Sequence, residues 1–184
     1  MIAIQQATLK PPVGPTDHVQ GPATALVTLV DYGDYECPFC GQAHPIVRAV
    51  QRHFGNQLRF AFRHFPLTQI HPHAQGAAEA AEAAGAQGAF WPMHDMLYEH
   101  QHALDFDSVV RYAAILDLDV ARFAQELASG VWAPRVREHF MSGVRSGVNG
   151  TPTFFINGQR HDGPWDLESL TAAVQRAARA ARVG

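Results

Sequence analysis

The chain holds two cysteines, set two residues apart in Cys37-Pro38-Phe39-Cys40. They stand where a continuous apolar, β-branched run gives way to helical spacing. The run "ATALVTLVDY", residues 23–32, has the pattern of a strand buried on both faces of a sheet. From Gly41 onward Ala43, Ile46, Val47, Val50 and Phe54 fall three and four apart, with Arg48, Gln51 and Arg52 opposite them, as in an amphipathic helix. Gly55-Asn56 closes that helix. "LRFAFRHF", residues 58–65, alternates as a strand does, and Pro66 ends it. Strand, helix, strand in this order is the parallel crossover unit.

A chain of 184 residues can bury a core without covalent help, and two cysteines are too few for a disulfide scaffold. C-x-x-C is therefore either a redox pair or half of a metal site. With 47% hydrophobic and 17% charged residues the chain is globular rather than disordered. A formal net charge of −3 supplies no basic field for nucleic acid. No apolar run reaches bilayer length, and the N-terminus lacks the charged-then-apolar order of a secretory leader. As written the chain reads as cytoplasmic; a periplasmic product whose leader was removed would look the same.

Residues 1–9 are apolar enough for an edge strand, and "KPPVGPTDHVQGP", residues 10–22, is a Pro- and Gly-rich extended arm. Between residues 67 and 147 the pattern turns wholly helical. "AQGAAEAAEAAGAQGA" is a strong helix former, and "FWPMHDMLYEH" places Pro92 near a first turn. "DSVVRYAAIL", "DVARFAQELA" and "PRVREHFMSGV" carry apolar residues three and four apart, with Asp107 and Asp119 as N-caps. Four or five helices are expected here. Met93 and Leu97, with Trp91 and Met96, read as core rather than as a peptide groove. Then "TPTFFINGQRH" is a strand, an Asn157-Gly158 hairpin turn and a second strand. In the terminal helix Leu167, Leu170, Val174 and Ala178 share a face, and Arg176, Arg179 and Arg182 suit the negative end of its dipole.

Several motifs together carry a resemblance. C-P-F-C sits at the strand–helix junction, Pro45 lies eight residues after Cys37, and Asp31 lies six before it. Gly150-Thr151-Pro152-Thr153 opens the late strand. With "YGDYECPFC", "HPHAQ", "FWPMHD" and "GTPTFFING", the chain resembles the DsbA-like thiol-disulfide oxidoreductases of the thioredoxin superfamily, in a bacterial group also found fused to Na+/H+ antiporters. The resemblance implies an α/β thioredoxin fold with an all-helical insertion. Its division would be an N-terminal arm at 1–22, a thioredoxin-like domain at 23–66 and 148–184, and an inserted helical domain at 67–147. It also implies that Asp31 is the buried acid of the family and that Pro45 kinks the helix. The Thr151–Pro152 bond is implied to be cis, its backbone lying beside Cys37.

The residues themselves say why such a site would work. Cys37, at or just before the helix N-terminus, meets unsatisfied N–H groups and the positive dipole end, both of which favour the thiolate. Cys40, one turn in and more buried, would stay protonated until it resolves a mixed disulfide. Pro38 at an early helical position loses no useful hydrogen bond. Phe39 offers bulk but no proton, and Asp34 and Glu36 oppose the thiolate by like-charge repulsion. Asp31 on a doubly buried strand would either accept the Cys40 proton or merely face a wet edge or cap a neighbour. Pro38, Phe39, Thr151 and Pro152 are the expected substrate-positioning residues, the Thr151 backbone pairing with an extended peptide like an added strand.

Eleven histidines raise the metal reading. Cys37, Cys40 and His44 make C-x2-C-x3-H, and His71, His73, His100 and His102 could add ligands, but no second pair stands at ordinary zinc spacing. His44, just before Pro45, is expected to face solvent, and the remaining histidines to lie on the surface or in helix packing. The expected activity is dithiol–disulfide exchange with protein substrates, needing no cofactor, recycled by a redox partner, either a protein or glutathione. Two alternatives stay open: a glutathione-dependent reductase of glutaredoxin type, and a zinc-binding or docking module without enzymatic activity.

Overall fold

The computed structural model describes residues 7–182. Its sheet has five strands in the order β1-β3-β2-β4-β5. The strands are β1 (His18–Gln20), β2 (Val27–Gly33), β3 (Leu58–His64), β4 (Thr153–Ile156) and β5 (Gln159–Arg160). β1 runs antiparallel to β3, β4 to β2, and β5 to β4. Helix α1 (Pro38–Phe54) links β2 to its neighbour β3, as the crossover pattern predicts, and α7 (Leu167–Ala181) ends the chain. Five helices lie between β3 and β4: α2 (Ala74–Gly85), α3 (Phe90–Glu99), α4 (Phe106–Ile115), α5 (Val120–Ser129) and α6 (Ala133–Arg145).

Contacts divide the chain into two compact units. One comprises the chain up to Tyr32, Gln42–Arg63 and the chain from Met141 onward; the other comprises Gly33–Gly41 and His64–Phe140.

The first unit is built on β2, whose continuous apolar run leaves Val27, Leu29, Val30 and Tyr32 at 1% exposure or less. Phe154 and Phe155 of β4 and Val47 and Val50 of α1 are buried with them, and Tyr32 meets Phe155 edge to face. Asn157 and Gly158 both have positive φ, 48° and 79°, the geometry a two-residue hairpin requires of its turn. Residues 1–6 of the expected edge strand lie outside the described residues. Its remainder pairs with β5: Thr8 bridges Gln159, Leu9 N–H donates to Gly158 O at 2.8 Å, and Arg160 N–H donates to Ala7 O at 2.9 Å. The Pro-rich arm is fastened by Arg63 of β3. All five of its N–H donors are taken, by both Asp17 oxygens (2.8 and 2.9 Å), Pro11 O, Pro12 O and the Tyr32 hydroxyl. Burial alone would lower the Arg63 pKa, but Asp17 and Tyr32 outweigh it and leave it raised.

In the second unit the alanines of α2 let its neighbours come close. Ala77, Ala80, Ala81, Ala83 and Ala84 are fully enclosed, and α2 packs against α3, α4 and α5. Met93 and Leu97 are core, as expected, whereas Trp91 and Met96, expected there too, are half-buried.

Two local expectations are corrected. Asp105, not Asp107, caps α4, accepting from Ser108 N–H at 3.1 Å; the helix starts at Phe106, so Asp107 falls within its first turn. Asp119 does cap α5, accepting from Arg122 N–H. Leu167, at the first position of α7, is half exposed, and Ala173 joins Leu170, Val174 and Ala178 on the buried face.

Candidate active site

Local chemistry fixes the turn that carries the cysteines. Asp34 opens it: Cys37 N–H donates to Asp34 O at 3.1 Å, and Glu36 N–H donates to Asp34 Oδ1 at 2.8 Å. An aspartate bonding the backbone two residues on is the favoured way to start such a turn. Cys37 then stands immediately before α1, with Pro38 as its first residue, where a missing N–H costs nothing. Gly41 N–H closes the first helical bond onto Cys37 O at 3.1 Å. No carboxylate lies in the first turn of α1, so nothing there cancels the dipole that favours a thiolate at Cys37. Pro38 and Phe39 are exposed, Phe39 at 59%.

Two features of this turn differ from expectation. Cys37 and Cys40 are about equally buried, at 3% and 2% exposure, because the turn folds Cys37 inward while Phe39 points out. Asp34 and Glu36 are not bare charges beside the sulfur. Asp34 Oδ2 accepts from Leu67 N–H at 2.9 Å and His71 Nδ1–H at 2.7 Å. Glu36 accepts from His73 N–H at 2.6 Å and His73 Nδ1–H at 3.1 Å. The His71-Pro72-His73 segment thus grips the two acids, and its donors offset the repulsion they would exert on a thiolate.

Three of the remaining histidines lie in helix packing, one of their two expected places. His64 Nε2 pairs with Glu82 at 2.9 Å, His139 Nδ1 accepts the His64 backbone N–H at 3.3 Å, and the two rings stack. These nitrogens already serve the packing of α2 and α6. The Tyr35 hydroxyl hydrogen-bonds His94 Nδ1 at 2.9 Å. His44 is half buried with its Nε2 shielded, not solvent-facing, because α1 turns that side of its second turn inward.

In the first unit, Asp31 is buried on β2 at 6% exposure. The Thr151–Pro152 peptide is cis and precedes β4. The β2–β4 register sets Asp31 opposite Phe154 and Tyr32 opposite Thr153.

Comparison with known proteins fits this arrangement. The family model described as thioredoxin matches residues 14–176. The chain belongs to the thioredoxin family. Its fold is the thioredoxin fold with a helical insertion, as in BdbD of Bacillus subtilis, with TM-score 0.85, 20% identity and coverage of 95% of this chain and 100% of that one. A thioredoxin-like oxidoreductase from Silicibacter pomeroyi superposes with TM-score 0.77 at 28% identity, covering 90% of this chain and 94% of that one. In sequence the chain is 54% identical over 167 residues to Na(+)/H(+) antiporter NhaA 1 of Salinispora arenicola, covering 90% of this chain and 26% of that protein. The chain spans about a quarter of the length of the curated relatives it matches. Among its described residues no helix is long and apolar enough to cross a membrane.

Proposed function

We propose that the protein is a thiol-disulfide oxidoreductase that exchanges disulfides with protein substrates through Cys37 and Cys40. The observation that carries this reading is the first turn of α1 in a thioredoxin fold. One thiol stands at the helix start beside N–H groups without intrahelical partners, and the second lies one turn on.

In the reducing direction the Cys37 thiolate attacks one sulfur of a substrate disulfide. That S–S bond breaks, a Cys37–substrate disulfide forms, and the displaced substrate sulfur takes up a proton. Cys40 then loses its proton and attacks Cys37 Sγ. The mixed disulfide breaks, the Cys37–Cys40 bond forms, and the second substrate sulfur leaves as a thiol. Two electrons have passed to the substrate, and a dithiol protein or two glutathiones return them. The reverse sequence oxidises a substrate dithiol. Asp31, the buried acid of β2, is the proposed acceptor of the Cys40 proton. Pro38, Phe39, Thr151 and Pro152 are the proposed substrate-positioning residues, with an extended peptide adding to the Thr151 backbone as a strand would.

The test uses the reduced protein and a disulfide-bonded polypeptide such as insulin. Wild type should lose two thiols per turnover and reduce insulin. Cys40→Ser should accumulate a covalent adduct through Cys37, visible by mass and released by dithiothreitol. Cys37→Ser should form none, and Asp31→Asn should slow release of the adduct in the otherwise intact protein. A free-thiol count unchanged after exposure to oxidised glutathione would end the proposal.

A further inference from the structure

Gln101, two residues past the end of α3, reaches the cysteine turn in a way no sequence pattern announces. Gln101 Nε2 donates to Tyr35 O and to Cys37 O, both at 2.8 Å. Both hydrogens of its carboxamide are therefore spent on carbonyls of the cysteine turn, that of Cys37 and that of Tyr35 two residues before it. The room for this comes from Gly41. A Cβ there would stand 2.1 Å from Gln101 Oε1 and 2.6 Å from its Cδ. Gly41 is thus the opening through which the amide enters, and it also closes the first helical bond to the same Cys37 carbonyl.

We propose that Gln101 is a positioning residue for Cys37, its amide clamping the backbone on both sides of that residue through the space Gly41 leaves.

Pro38 makes this clamp matter. The Cys37–Pro38 peptide has no N–H, so only its carbonyl oxygen can be tied, and Gln101 and Gly41 both donate to it. The orientation of that peptide sets where Cys37 Sγ lies relative to the helix N–H groups that stabilise its thiolate. The amide hydrogens also draw off partial negative charge from the Tyr35 and Cys37 carbonyls of the cysteine turn. Without the clamp the peptide can turn, the carbonyl charge is less offset, and the thiolate loses ground to the thiol.

The role of this residue is an extension of the exchange mechanism, but its test does not depend on exchange. The readout is the pH midpoint of Cys37 alkylation in the full-length reduced protein, resolved from Cys40 by peptide mass spectrometry. Gln101→Leu should raise the midpoint and slow alkylation at neutral pH about three- to tenfold, the equilibrium equivalent of one ordinary hydrogen bond. Gln101→Glu, which presents oxygens to two carbonyl oxygens, should shift it at least as far. Gly41→Ala keeps Gln101 but expels its amide, and should shift the midpoint in the same direction. The double variant Gly41→Ala/Gln101→Leu should shift it no further than the larger single, since both remove one contact.

An unchanged midpoint in Gln101→Leu and Gly41→Ala, with only thermal stability lowered, would overturn the proposal; so would additive shifts in the double variant. If Gln101→Leu does not fold, Gly41→Ala decides alone by the same criterion. A protein inert toward insulin but with these shifts would leave the clamp standing and remove the exchange reading. Normal exchange without the shifts would do the opposite.

Discussion

Asp17 in one unit and Asp34 in the other both have buried carboxylates, and they are held by different chemistry. Asp17 faces a guanidinium whose charge is permanent and whose five donors are all occupied. Asp34 faces an imidazole and two backbone N–H groups. The first knot ties a Pro-rich arm to β3. The second ties four residues of backbone that end at Cys37. The contrast teaches that burial of a carboxylate does not say what it is for: the partners do. A saturated Arg–Asp fork is a fastening, whereas an acid that accepts from the turn's own N–H sets the geometry of whatever that turn presents.

The comparison breaks most visibly at Arg63. Arg63→Met leaves the Asp17 carboxylate enclosed without its counter-charge, which costs about 3–5 kcal/mol. For a chain of this size that lowers Tm by at least about 6 °C. The Cys37 alkylation midpoint should stay where it is, because none of the acceptors of Arg63 lies in the turn at Cys37. A thermal melt and an alkylation profile on the same sample check both halves; a shifted midpoint would erase the distinction between fastening and presentation.

Asp34→Ala should cost less, about 2–3 kcal/mol, mainly from leaving the Leu67 and Glu36 N–H groups without their acceptor. Unlike Arg63→Met, it should also move the midpoint upward, since the turn that brings Cys37 to the helix start loosens. Asp34→Asn sharpens the point. It keeps an oxygen for the Glu36 N–H but removes the charge, so it should cost about 1 kcal/mol. If geometry governs, its midpoint stays near wild type; if charge governs, the midpoint falls as repulsion is relieved.

The two acids also mark where the sequence was readable. Cys37-Pro38-Phe39-Cys40, Thr151-Pro152 and Asn157-Gly158 carry their meaning in adjacent residues, and strand, helix and hairpin appeared where those signals placed them. Asp34 was visible only as a charge near a thiol. Its decisive partners, Leu67 and His71, are 33 and 37 residues away, and nothing in their spacing points back to it. Gln101 was more hidden still. It sits 64 residues from Cys37 with no motif around it, and its one trace is Gly41, a glycine in a helix where alanine would be the better former. The α4 cap was missed for a smaller reason. Asp105 and Asp107 stand two apart, either can start a helix, and only the backbone shows which one accepts from the residue three on.

The smallest effect belongs to His71, and it separates the two knots most finely. An arginine's place in a five-donor fork has no substitute of equal geometry, so Arg63 cannot be neutralised without being broken. The single bond from His71 Nδ1 to Asp34 can be replaced by that of another donor. Glutamine donates to a carboxylate and carries no charge, and the two backbone N–H groups on Asp34 remain. His71→Gln should therefore change stability by less than about 1 kcal/mol, the worth of exchanging one donor for another. The turn stays formed, so any movement of the Cys37 midpoint reports the imidazole ring and not the backbone. The expected movement is small, because one donor to Asp34 replaces another while the carboxylate keeps its two backbone N–H partners. A movement as large as that of Asp34→Ala would mean that the ring itself, and not the turn it helps to hold, governs the thiolate.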